Sequence, residues 1–537
     1  MPANASSSYE EVPYEGFALF VTHPNYLAAL GRLFEVSPPE IEACRVLELG
    51  CARGDNLIPM AYSLPRAKFV GIDLSPRQIA EGQAAIAELG LRNIELRAQN
   101  ILELGPGLGP FDFIVAHGVY SWVPDPVREK MLRLCAETLT PNGLAHISYN
   151  IYPGWHMRSM VRDMMLFWSR QIDGTRPRVH AGKSLMQGLF QVLASHDKPY
   201  ALCLREEAEK ILRHDDSYLA HEFFDESNDP IYFHEFVERA AAHGLAYLAE
   251  AEYWTTASPQ SSELFEPFDD SADDWLRREQ LYDFIKGRAF RHAVLCRESL
   301  PCSRRPSARA LRSLCITSMV RPAAESAAPS ADGGEEFHKL SGGHALTTND
   351  PAVKLALRIL DEARPRSVSF ETLWTRVEDR LAALSAGATP EGQDPASAED
   401  RQAIPSPERL AESLLDAFGH NVIELHVREP EFTTEVGEFP RASPVARRKA
   451  ASSPRVPNLH HRMIALADFD QLVLTRLDGS HDRRALLRIM HDEIKAGTFA
   501  LRIQDREIAD PAELETALAH LLDKSLHGLA ANALLVG

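Results

Sequence analysis

The residues most able to do chemistry begin in CRVLELGCARGDNLIPMA, positions 44–61. An apolar stretch there ends in Glu48, and Gly50 and Gly54 flank a turn into a helix, which lets backbone approach a ligand and aim its amides at it. The spacing differs from the G-x-G-x-x-G of dinucleotide-binding domains. KFVGID then places Asp73 at the end of a second apolar stretch, 23 residues after Gly50. A carboxylate in that position accepts two hydroxyl hydrogens from a ribose, or simply caps the next helix. RAQNIL offers Asn100, suited to an adenine amino edge or to a plain Asx turn. VAHGVYSWVPD and SYNIYPGW bring His117, Tyr120, Trp122, Tyr149, Asn150, Tyr152 and Trp155 to the ends of two more apolar stretches. Aromatic walls of this kind draw in an ammonium group and then desolvate it. His117 is a candidate proton relay and Asn150 a candidate acceptor that orients an amine.

These segments need a scaffold that lines them up. Apolar runs at 46–49, 69–72, 94–96, 111–116 and 144–148 are separated by enough chain for crossover helices, the βαβ pattern of a parallel sheet. Ser75-Pro76 opens one helix, with Ile79, Gly82, Ile86 and Leu89 on one face and Gly90 after its end. Asp125-Pro126 opens the next, with Val127, Met131, Leu134 and Cys135 inward. The candidate residues therefore fall at strand C-termini, the edge where open α/β sheets bind ligands. A mainly helical insertion over 156–228, a helix from Asp229-Pro230 to Gly244, and late strands at 245–253 and 293–297 complete a doubly wound sheet with a closing hairpin.

At 537 residues the chain has room for several domains, and its 45% hydrophobic content is that of a globular protein. With 57 Lys+Arg against 76 Asp+Glu the net charge is −19, which disfavours a nucleic-acid partner. No apolar stretch approaches a membrane span, and the first residues lack a secretory pattern, so a cytoplasmic location without membrane insertion is expected. Seven scattered Cys with no CxxC pair predict reduced thiols and metal-independent chemistry. Ala/Ser/Pro/Gly-rich stretches divide the chain into an N-terminal cap (1–43), a ligand-binding core (44–155), the insertion with the closing strands (156–320), a linker (321–349), a winged-helix-like domain (350–440), a second linker (441–458) and a C-terminal helical or α+β domain (459–537). A further linker is expected at 385–400. The winged-helix expectation rests on helices opening at Asp350-Pro351 and Ser406-Pro407 and on a hairpin of 422–427 with 432–439. Its third helix carries Glu408, Glu412 and Asp416, which would repel DNA and favour protein contact. The acidic run at 263–275 reads as a solvated loop or a dock for a basic protein. Tyr14 and Phe20 are candidate lid contacts over the ligand cleft, within a segment that otherwise reads as a packing helix.

Taken in order, THPNYLAALGRLFEV, GCARGDNLIPMA, GIDLSPRQIAEG, HGVYSWVPD, SYNIYPGW, YLAHEFFDESNDPIYFHEFVERAAAHGL and LYDFIKGRAFRHAVLC resemble class I S-adenosylmethionine-dependent methyltransferases that carry a methyltransferase regulatory domain. Within these, the chain looks most like bacterial protein-lysine methyltransferases acting on rickettsial outer-membrane protein. The likeness spans about 9 to 298; beyond it only LTRLDGSHDRRALL is similar. The resemblance implies an α/β, Rossmann-like doubly wound sheet with a helical insertion, plus smaller C-terminal α+β winged-helix-like parts. It implies S-adenosyl-L-methionine as cofactor, held by Glu48, Gly50, Cys51, Gly54, Asp73, Leu74, Asn100, Ile101 and His117. Transfer to a lysine-bearing polypeptide would fall to His117, Tyr120, Trp122, Tyr149, Asn150 and Trp155. The alternatives are a small-molecule acceptor and a cofactor-binding regulator or scaffold without turnover.

Overall fold

The computed structural model describes residues 16–225, 227–256, 274–323, 334–387, 406–497, 502–503, 506–507 and 511–537. Tyr14, most of the acidic run at 263–275 and the expected linker beyond residue 387 lie outside them. The chain divides into two compact units.

The first unit comprises Met1–Phe17, Pro38–Leu57 and Arg66–Pro301. Its seven strands are β1 (Arg45–Leu49), β2 (Lys68–Asp73), β3 (Ile94–Ala98), β4 (Phe111–Ala116), β5 (Leu139–Asn150), β6 (Leu245–Glu250) and β7 (Phe290–Arg297). They lie in the order β3-β2-β1-β4-β5-β7-β6, parallel through β5, with β7 antiparallel to both β5 and β6. The expected strands and closing hairpin are therefore present. Ser75 caps helix Pro76–Glu88 by accepting from the Gln78 N–H, and Gly82 is required there, because a Cβ would lie 2.5 Å from the Arg53 carbonyl oxygen. The helix expected from Asp229 begins later, at Phe233, because Ile231 is drawn into a bridge with Ile151.

Side chains alternate between the two faces of a strand, so register assigns each residue to one of them. Leu47, Leu49, Ile114, Ala116, Ala145, Ile147 and Tyr149 enter one apolar core with helices Asp125–Thr138 and Phe233–Ala242. Glu48 pairs with Val115 and Val115 with His146, which puts Glu48, His146, Ser148 and Asn150 on the opposite face. The insertion folds as helices Gly154–Ser169, Thr175–Val192, Pro199–Arg213 and Asp216–Phe224 around Val161, Met165, Val179, Met186, Leu204 and Phe223.

The second unit comprises Ala18–Ser37, Ile58–Pro65 and Cys302–Gly537. Strand Ile423–His426 pairs with Cys315–Ser318 instead of forming the expected hairpin, and 432–439 holds no strand. The ladder ends because Asn25 Oδ1 takes the N–H groups of Val427 and Arg428. The expected linker at 321–349 contains an antiparallel pair, Glu335–Lys339 with His344–Thr348, turning at Gly342 and Gly343, both at positive φ. The one expected at 441–458 contains helix Pro444–Ala450, whose Ala446 and Ala450 are buried with Ala442, Val456, Leu474 and Leu526. Its apolar side is made of alanines, so it carries no strong hydropathy signal. Phe20, a candidate lid contact, packs edge-on to Tyr26 with Arg462 over its ring, within this unit. Among the described residues no helix is long and apolar enough to cross a membrane.

A buried charge cluster braces the first unit. Arg291 on β7 is inaccessible and donates to both Asp283 oxygens (3.0 and 2.9 Å), to Glu279 (2.9 Å) and to Glu250 (3.3 Å). Removing one partner of such a cluster leaves the others charged and unpaired, at a cost of about 3–5 kcal/mol. Arg291→Met should therefore lower the unfolding midpoint of this unit strongly in calorimetry, whereas the exposed pair Arg97 with Glu95 should be removable with a change below about 1 kcal/mol.

Candidate functional site

The turn after β1 spends its own donors. The N–H groups of Gly50 and Cys51 donate to the Ile72 carbonyl (2.8 and 3.1 Å), that of Ala52 to Asp73 Oδ2 (2.8 Å) and that of Gly54 to the Cys51 carbonyl (2.8 Å). These four N–H groups are therefore spent within the fold and are not aimed at a ligand. The glycines serve geometry instead. Gly50 and Gly54 have φ of 74° and 79°, and a Cβ on Gly50 would lie 2.3 Å from Val119 Cγ2, so the β4 loop packs directly on the turn. Cys51 turns its Sγ toward Gly71, and burial pushes its thiol well up, so it packs there as a protonated thiol.

What the turn presents is negative. Glu48 is 4% exposed; its Oε1 accepts from Asn56 (2.8 Å), while its buried Oε2 has no hydrogen-bond partner among the described residues. Burial pushes this carboxyl up to about 7, with Asn56 opposing and Asp73 and Asp55 adding to the rise. Asp73 also accepts the Ser75 N–H through Oδ1 (2.9 Å), so it braces the turn and the following helix together. Each of its oxygens keeps a second lone pair for a hydroxyl. Asn100 caps the turn Ile101–Glu103, its Oδ1 accepting from the Leu102 N–H (3.0 Å), which is the Asx arrangement. Leu74 and Leu102 are 59% and 43% exposed and, with the half-buried Ile101, offer an apolar rim for a flat ring.

S-adenosylmethionine fits this donor set. An orphaned buried carboxylate suits its ammonium, Asp73 its ribose diol and the apolar rim its adenine. A pyrophosphate suits it poorly, because the N–H groups of Gly50, Cys51, Ala52 and Gly54 are already used and the turn presents the carboxyls of Glu48 and Asp73.

Across the face shared with Glu48, His117 Nδ1 bonds Ser148 Oγ (2.9 Å), and the ring stacks on His292 (5.4 Å) with the edges of Phe17 and Phe290 beside it. Burial pushes His117 down to about 4, so it is neutral at pH 7. A ring held neutral in this way, stacked among other rings, suits a wall of the site better than a proton relay. Phe17 was not legible in the sequence, since a lone aromatic before a helix has many uses. Asn150 is buried, its N–H donating to Ser121 Oγ (2.8 Å) and its Nδ2 to Asn228 Oδ1 (3.0 Å). Trp122 is half-buried at the end of the turn Tyr120–Trp122, and Tyr152 stacks on His156 at 4.2 Å.

Three expected wall residues lie elsewhere. Tyr149 is an odd-numbered neighbour of Ser148 and Asn150, so it points into the opposite core, where it stacks on Phe236 at 4.1 Å. Tyr120 packs edge-on to both of them and is inaccessible. Trp155 is 1% exposed, against Phe223 in the insertion.

Three sequence families match the chain: "Methyltransferase domain" over 46–143, "Predicted methyltransferase regulatory domain" over 215–297, and "PKMT, C-terminal winged helix domain" over 438–534. The last lies C-terminal to the segment 350–440 in which a winged helix was expected. The uncharacterized protein RP789 of Rickettsia prowazekii is 31% identical, the match covering 98% of this chain and 93% of that protein. The structure of PKMT2 from Rickettsia typhi in complex with AdoHcy superposes with a TM-score of 0.84 at 27% identity, covering 98% of this chain and all of that one. A trans-aconitate 2-methyltransferase of Deinococcus radiodurans is 30% identical over 20% of this chain and 38% of its own length.

Two outcomes test the cofactor geometry. Asp73→Ala should weaken S-adenosylmethionine binding tenfold or more in calorimetry, about 1.4 kcal/mol or above. Because Glu48 is raised from 4.5 to about 7 and must ionise to pair with an ammonium, affinity should rise between pH 5.5 and 7, by up to about tenfold per unit. Glu48→Gln should flatten that dependence.

Proposed function

The chain belongs to the S-adenosylmethionine-dependent methyltransferases that carry a methyltransferase regulatory domain and a PKMT-type C-terminal winged helix, and from that premise we propose that it methylates lysine ε-amines of a polypeptide. S-adenosylmethionine is its cofactor and, when bound, supplies a methyl group on an electrophilic sulfonium. The chain's own residues have to hold the cofactor, strip water from the acceptor and leave it a free lone pair. Glu48 takes the cofactor's ammonium, Asp73 its ribose, and Leu74 and Ile101 flank its adenine, with Asn100 beside them.

The observation that supports an amine acceptor is the polarity of the face shared with Glu48. His117 is held neutral, Ser148 and Asn150 are uncharged, and Glu48 is acidic, so these side chains offer acceptors and carry no fixed positive charge. A carboxylate-bearing acceptor would require cations there. A lysine ammonium of pKa ~10.4 must lose a proton first, costing about 4 kcal/mol near neutral pH, and a desolvating wall of His117, Trp122 and Phe17 lowers that cost. A polypeptide also gives the second unit a purpose. Helix Pro407–Gly419 shows exposed Glu408, Glu412 and Asp416, suited to a basic segment.

The test is to incubate the intact protein with methyl-labelled S-adenosylmethionine and cell extract split into polypeptide and small-molecule fractions, with Asp73→Ala as control. Base-stable label on polypeptide, located on lysine by mass spectrometry, is expected. Label confined to small molecules would replace the lysine reading with a small acceptor. Cofactor binding without transfer to either fraction would make the chain a regulator.

A further inference from the structure

A polar chain ties the acceptor side of the site to the last turn of helix Asp216–Phe224, which no expected site residue includes. Ser121, after β4, accepts the Asn150 N–H on its Oγ and the Asp229 N–H on its carbonyl (2.9 Å). Asn150 donates from Nδ2 to Asn228 Oδ1, and Asn228 donates from Nδ2 to the Glu222 carbonyl (3.3 Å). Asn150 and Asn228 thus hold the last turn of this helix, and the Glu222 carboxyl it carries, beside the sheet face that holds Ser148 and Glu48. Burial pushes that carboxyl up to about 7, against the opposing pull of Arg158 and Asn150. Among the described residues, the charged groups around this turn include Arg158 and Arg162 from helix Gly154–Ser169, Arg178 lying over Phe224, Asp225, and Asp229 with its partner Arg128.

We propose that Glu222, positioned by Asn150 and Asn228, receives the acceptor ammonium and removes its proton, resting on the lysine reading above. The step balances without another reagent. The ammonium R–NH3+ gives one proton to the Glu222 carboxylate, leaving R–NH2 with its lone pair and Glu222 as the neutral acid. The proton later leaves to solvent from this part-buried side chain. A base titrating near the operating pH serves best in such a transfer, and removing one typically costs 10²–10⁴-fold in rate. His117, neutral and far weaker as a base, is left as wall. The insertion would then complete the acceptor site and confine transfer to amines.

The test uses the intact protein, Glu222→Gln and Glu222→Asp, labelled S-adenosylmethionine and the polypeptide fraction of the extract as acceptor. Glu222→Gln should bind S-adenosylhomocysteine within twofold of wild type in calorimetry, yet transfer at least 100-fold more slowly at pH 7.5. Its rate should recover as pH rises toward 9.5, where solvent deprotonates the amine. Glu222→Asp, with its carboxylate one methylene shorter, should keep the wild-type pH profile at a rate reduced about tenfold. A Gln variant within threefold of wild type, or one without recovery at high pH, overturns the proposal. If Glu222→Gln loses product affinity, Glu222→Asp decides, and an Asp variant at full rate or without transfer overturns it equally. No label on polypeptide from the wild type would fault the lysine reading instead.

Discussion

The register joining β1, β4 and β5 is the constraint on which the rest of the site depends. Parallel pairing of Glu48 with Val115 and of Val115 with His146 fixes which side chains share a face. A slip of one residue would send Glu48 and Asn150 into the apolar core and bring Tyr149 to the ligand. The slip is prevented from the other side of the sheet, where Leu47, Ile114, Ile147 and Tyr149 fill one core with Phe236 and Met131. The apolar face thus sets the geometry of the polar one. The turn at Gly50 then follows, because the N–H groups of Gly50, Cys51 and Ala52 find their acceptors at Ile72 and Asp73 on the neighbouring strand.

Buried acids in this chain serve two ends, and their partners tell them apart. Around Arg291, Asp283 and Glu250 meet a buried guanidinium, and the group braces β6, β7 and helix Trp275–Lys286. Glu48 has a neutral amide on one oxygen and no partner for the other. A carboxylate left in that state costs the free protein stability, and an incoming cation recovers it. Structural and ligand-facing carboxylates therefore differ in whether the fold itself supplies the cation.

Much of this was legible in the sequence, and the failures share physical causes. The five parallel strands, the closing pair and Asp73 at a strand end follow from apolar periodicity and helix-start signals, which act locally. Tyr120 and Tyr149 were misread because an aromatic at a strand C-terminus looks the same whichever face it takes, and the face depends on pairing. The segments 335–348 and 441–458 were misread because hydropathy undervalues alanine and a Gly-Gly turn resembles a linker. Gly50 and Gly54 were recognised as a turn, but whether its amides are free depends on a carbonyl from a distant strand. Glu222 and Phe17 carried no motif at all, and only tertiary contacts single them out.

Spending the turn's amides internally has a chemical consequence that reaches across the whole site. Loops of similar outline that keep their N–H groups free create a positive field and hold phosphates. Here Asp73 neutralises that field by taking the Ala52 and Ser75 amides, and Glu48 reverses it. A methyl donor bears positive charge on its sulfonium and its ammonium, and an amine acceptor arrives as a cation. A region of fixed negative charge with neutral walls stabilises both, provided the acceptor's proton has somewhere to go. Aromatic and histidine walls cannot take it when burial holds His117 near 4. An acceptor arriving as a cation then needs another group for its proton, and a carboxyl that burial has raised to about 7, as at Glu222, is matched to that transfer.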